Sequence, residues 1–89
     1  MSDERQKTEE VLKLSQRFVN LANRMKNDGI NTNLVNTALM VASGTYATYL
    51  GAGNKGYLER SGVEKVTQNY ATNLMWIQST KKQQNNPDA

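Results

Sequence analysis

Apolar positions in the first third of the chain recur every three or four residues. Val11, Leu14, Phe18, Leu21 and Met25 are spaced 3-4-3-4, with Leu12, Val19 and Ala22 widening the stripe. That spacing predicts an amphipathic helix with a coiled-coil-like seam, over about residues 4–27. The polar residues 1–9 predict a partly frayed start. Asn27-Asp28-Gly29 supplies a stop, because Gly29 can take the left-handed conformation that closes a helix. A second helix is expected over about 33–50, with Asn31, Thr32 and Asn33 as N-cap candidates. It carries two stripes. One is Val35, Leu39, Ala42, Tyr46 and Tyr49; the other is Leu34, Ala38 and Val41. From Gly29 to Asn54 no residue is charged. A helix apolar on more than one face is normally the buried one. Its small residues Ala38, Ala42, Ser43, Gly44 and Ala47 suit close approach by neighbours.

Residues 51–56 read as a loop. Ser61-Gly62-Val63-Glu64 then matches a capping box, with Ser61 as N-cap and Glu64 three residues on. The third helix is expected over about 62–81, burying Val63, Val66, Tyr70, Leu74 and Ile77. Residues 82–89 read as a disordered polar tail ending in a helix breaker. The whole reads as one helical domain over residues 10–81. Its fold class is all-α: a small three-helix bundle or helical array, with helix 2 between helices 1 and 3, completed by oligomerisation.

One stretch carries a family resemblance. Phe18-Val19-Asn20-Leu21-Ala22-Asn23 precedes a polar turn. The Ala-rich helix from Asn33 to Ser43 follows, then a Gly-containing loop and a helix bearing Tyr70. Over roughly residues 10–77 this order resembles a family of small bacterial proteins classed as domain of unknown function 3144. The resemblance implies a helical fold and a bacterial protein. It assigns no catalytic residue.

Composition narrows the chemistry. The 89 residues contain no Cys and no His. That removes disulfides, thiol nucleophiles, thiolate and imidazole metal ligands, and any His-based triad. Paired-carboxylate catalysis needs two acids held close, and none of Glu9, Glu10, Asp28, Glu59 and Glu64 forms such a pair by position. No enzyme, cofactor or metal site is therefore expected. Gly51-Ala52-Gly53-Asn54-Lys55-Gly56 fits the letters of a dinucleotide fingerprint. That motif needs a strand before it, and here a helix precedes it, so it reads as a helix stop and turn.

Hydrophobic residues make up 37% of the chain. Average globular domains have about 45–50% apolar content, in a class that also counts Gly. A thin core is often completed by a second copy, and a homo-oligomer, with a dimer favoured, is expected. Trp76 and Met75 lie off the helix-3 stripe and, with Tyr49, are assigned to that interface, where aromatic residues are enriched. The net charge is +3. Lys13, Arg17 and Arg24 share a face of helix 1 and form a candidate contact for an anion or a nucleic-acid backbone. A nucleic-acid accessory role is thus one alternative to a protein-interaction module. A small-ligand cup between helices, lined by Asn, Thr and Tyr, is another. Asn20, Asn23, Asn36 and Asn73 are expected to make structural polar contacts. Helix 2 approaches membrane-spanning length, but Asn36, Thr37, Ser43, Gly44, Thr45 and Thr48 dilute its hydrophobicity, so no membrane partner is expected. No signal region is seen, and a cytoplasmic location is the expectation.

Overall fold

A computed structural model describes residues 2–85. It contains three α-helices: α1 (Ser2–Asn27), α2 (Thr32–Ala52) and α3 (Arg60–Asn85), with a 3-10 turn at Gly53–Lys55 between α2 and α3. No strand occurs among the described residues. The all-α class read from periodicity therefore holds.

The helix ends follow from capping chemistry. Asp3 and Glu4 lie in the first turn of α1, and Arg24 and Lys26 in its last. Both placements suit the helix dipole. Beyond Asn27 the Gly29 amide donates to the Lys26 carbonyl at 3.0 Å, and the Ile30 amide to the Met25 carbonyl at 3.1 Å. With Gly29 at φ 97°, this is a complete Schellman motif. The Asn31 Oδ1 then accepts from the amides of Asn33, at 2.8 Å, and Leu34, at 3.3 Å. Asn31 is thus the N-cap of α2, satisfying two of the amides a helix start leaves open.

The start of α3 departs from expectation. Its first helical bond runs from the Val63 amide to the Glu59 carbonyl, at 3.0 Å. Glu59 therefore holds the N-cap position, and Ser61 lies inside the first turn. The capping box is not formed. Glu64 faces Arg60 instead, with 3.5 Å between them. All three helices also outrun their expected ends. α1 is helical from Ser2, α2 reaches Ala52, and α3 continues to Asn85. Polar residues such as Lys81, Lys82, Gln83 and Gln84 carry no helix-breaking chemistry, and Lys and Gln propagate a helix well. Of the expected tail, residues 86–89 lie outside the described residues.

The chain divides into two compact units, Met1–Gly44 and Thr45–Ala89. The boundary falls inside α2, beside Gly44, which is a weak helix former. In the first unit Val35 is buried, at 7% exposure, and Ala22 and Met25 are half-buried. Among the described residues of the second unit none is fully buried. Ala47, Thr48, Ala52, Leu58, Gly62, Val66 and Thr80 are half-buried. Leu58 organises this unit. A Cβ placed on Gly51 would stand 2.9 Å from the Leu58 Cδ2, and one on Gly62 would stand 3.3 Å from it. The two glycines thus admit the Leu58 side chain against the backbones of α2 and α3. Gly53 (φ 59°) and Gly56 (φ 79°) take the left-handed conformations that reverse the chain.

The expectation that α2 is buried fails for the chain taken alone. Apart from Val35 and the half-buried Ala47 and Ala52, its apolar residues are open: Val41 is 62% exposed, Tyr46 66% and Leu50 76%. Tyr70, expected in the core of α3, is also exposed.

Candidate interaction surfaces

The three residues assigned to an interface are all on the surface. Tyr49 lies near the end of α2, and Met75 and Trp76 follow one another on α3; all three are exposed. Consecutive helical residues point about 100° apart. Met75 and Trp76 therefore open onto different sides of α3 rather than forming one patch.

The larger apolar surface is one that periodicity had assigned to a core. Val11, Leu14, Phe18 and Leu21 of α1 are exposed, as are Val63, Leu74 and Ile77 of α3. Beyond Val35, the large apolar side chains that are even half-covered among the described residues are Met25, Leu58 and Val66. The signal for these surfaces was present in the 3-4-3-4 spacing. Spacing reports that a face is apolar, and not whether the same chain covers it.

Lys13, Arg17 and Arg24 lie exposed along α1, on one face as their spacing predicts. Asn20, in the same row, has its Oδ1 taken by the Gln16 amide at 2.9 Å. Ion pairs among the described residues lie elsewhere: Lys55 with Glu59 at 3.2 Å, and Arg60 with Glu64 at 3.5 Å. All four partners are well exposed. Lys55, the cation of the glycine loop, thus has a local carboxylate partner. The loop itself follows a helix, as the reading of a stop and turn requires.

Polar interior chemistry is missing where it had been expected. No polar or charged residue among the described residues is buried, and Asn20, Asn23, Asn36 and Asn73 are all exposed. Asn20 makes its polar contact at the surface, with Gln16. A shallow groove is lined by Val63, Glu64, Thr67, Gln68 and Ala71. These residues form one face of α3, with no second element opposite. Neither Asn36, Asn73, Tyr46 nor Tyr70 lines it. Among the described residues no three carboxylates gather to hold a metal ion, and no helix is long and apolar enough to cross a membrane. No protein-family model, curated protein or solved structure matches the chain.

Proposed function

We propose that this chain is a non-enzymatic oligomerising and protein-interaction module that works as a homodimer in the cytoplasm. The observation that carries the reading is the exposure of its apolar faces, with Val35 alone buried among the described residues. Val11, Leu14, Phe18 and Leu21 of α1 and Val63, Leu74 and Ile77 of α3 are exposed, and contiguous exposed apolar surface marks an interaction site. Tyr49, Met75 and Trp76 belong to the surfaces so offered. The resemblance to the domain of unknown function 3144 family is part of this proposal and gives no residue a role.

Light scattering coupled to size exclusion tests the proposal. Twice the chain mass is expected at micromolar concentration, together with a melting temperature that rises with protein concentration. A clean monomer at high micromolar concentration would refute it.

A second reading draws on Lys13, Arg17 and Arg24, which are exposed and make no ion pair among the described residues. They could follow a phosphate backbone as an accessory nucleic-acid contact. That reading requires binding at low salt which falls steeply as salt rises. Absence of a gel shift at low salt removes it.

A further inference from the structure

The seam of α1 is covered at one end and open at the other. Ala22 and Met25 are half-buried, whereas Val11 is 62% and Phe18 61% exposed. Steps of three and four keep these residues on one face of the helix. The face that is covered at Met25 therefore continues uncovered toward the N-terminus. Lengths account for this within the first unit. α1 spans about 39 Å, and the segment of α2 belonging to that unit, residues 32–44, spans about 20 Å.

We propose that the open stretch, residues 11–21, packs antiparallel against the same stretch of a second copy of this chain. This rests on the self-association reading and adds the surface and its direction. Heptad positions fit a two-fold axis. Val11 and Phe18 hold one core position, Leu14 and Leu21 the other, and the stretch centres on Gln16. Antiparallel pairing sets Val11 against Leu21 of the second copy, and Leu14 against its Phe18. The apolar core is then complete from one end of the open stretch to the other.

Charge chooses the direction. The start of α1 carries Asp3, Glu4, Glu9 and Glu10 against Arg5 and Lys7, and the end carries Arg17, Arg24 and Lys26. Glu10, Arg17 and Arg24 recur at sevens on the flank of the seam. Flanking charges of this kind set partner orientation in paired helices. The antiparallel pair brings Glu10 beside Arg24 of the second copy, twice by symmetry. A parallel pair brings Glu10 to Ser15 and Arg17 to Ala22, matching no charges. Arg17 falls near the two-fold axis beside its own copy. It lies there at the solvated edge, where repulsion between charges is screened.

The absence of Cys makes the direction directly readable. Arg17→Cys places a thiol near the axis of the antiparallel pair, and Val11→Cys places one opposite itself in a parallel pair. Each full-length variant is mildly oxidised, run on a non-reducing gel, and measured by light scattering when reduced. The expected result is a covalent dimer for Arg17→Cys, with Val11→Cys remaining uncrosslinked. The reverse pattern overturns the inference. A dimer by scattering with neither variant crosslinked also overturns it, while leaving self-association intact. A monomer by scattering refutes both. Charge exchange gives an independent arm. Glu10→Arg is expected to weaken the dimer about fivefold, and the pair Glu10→Arg with Arg24→Glu to restore it. Failure of the double exchange to restore affinity counts against the antiparallel pairing.

Discussion

The chain reverses twice, and it does so by two different means. Between α1 and α2 the reversal is short and held by backbone chemistry. Gly29 closes one helix through two amide bonds, and Asn31 opens the next through two more. Val35, one turn into α2, is buried directly after it. Between α2 and α3 the reversal is longer and includes a 3-10 turn. No side chain caps the start of that turn, and Gly56 in the left-handed conformation ends it. Here the work falls to packing, with Leu58 lodged against Gly51 and Gly62, and to the exposed pair Lys55–Glu59. The difference teaches that one turn is specified by local hydrogen bonds and the other by space left for a side chain.

Substitutions can break that comparison, beginning with the largest effect. Val35→Asp puts an unpaired carboxylate at the buried position of the first unit. A loss of about 3 kcal/mol or more is expected, read by urea denaturation followed by far-ultraviolet circular dichroism. A loss below about 1 kcal/mol would show that Val35 does not anchor the unit. Gly51→Val tests the second reversal. A Cβ there meets the Leu58 Cδ2 at 2.9 Å, so the Leu58 side chain must shift, and a loss of about 1 kcal/mol is expected. Combining it with Leu58→Ala is expected to relieve part of the cost, a coupling that a double-mutant cycle measures. Simple additivity would mean that the two residues do not share the space. The smallest effect separates the two helix starts. Asn31→Ala is expected to cost about 1 kcal/mol. Ser61→Ala, inside the first turn of α3, should stay within about 0.5 kcal/mol. Equal costs for both would restore Ser61 to a capping role.

Some of this was legible in the sequence. Gly29 after Asn27-Asp28 is read as a helix stop because few other residues tolerate its φ. The 3-4-3-4 run from Val11 to Met25 is read as one helical face because helix geometry leaves no alternative. Other features were misread for physical reasons. Ser61-Gly62-Val63-Glu64 has the letters of a cap. Where a helix begins, however, also depends on what packs beside it, and Leu58 against Gly51 and Gly62 brings the chain into α3 at Arg60. Residues 82–89 read as a tail because they are polar and end at a helix breaker, yet nothing in the chemistry of residues 82–85 ends a helix. Tyr49, Met75 and Trp76, read as candidate interaction residues, are exposed. The open seam of α1 was visible as a pattern and assigned to a core.

The sequence by itself determined that the chain forms three helices, where the first reversal falls, and that no thiol or imidazole is present. Periodicity, glycine conformation, capping side chains and the absence of Cys and His are local properties of the residues. Only the tertiary structure decided what is covered. Burial depends on which surfaces meet, and a stripe of Val, Leu and Phe is written the same way whether its neighbour is the same chain or another. In this protein Val35 is buried, whereas Val11, Phe18 and most of the uncharged α2 stay exposed.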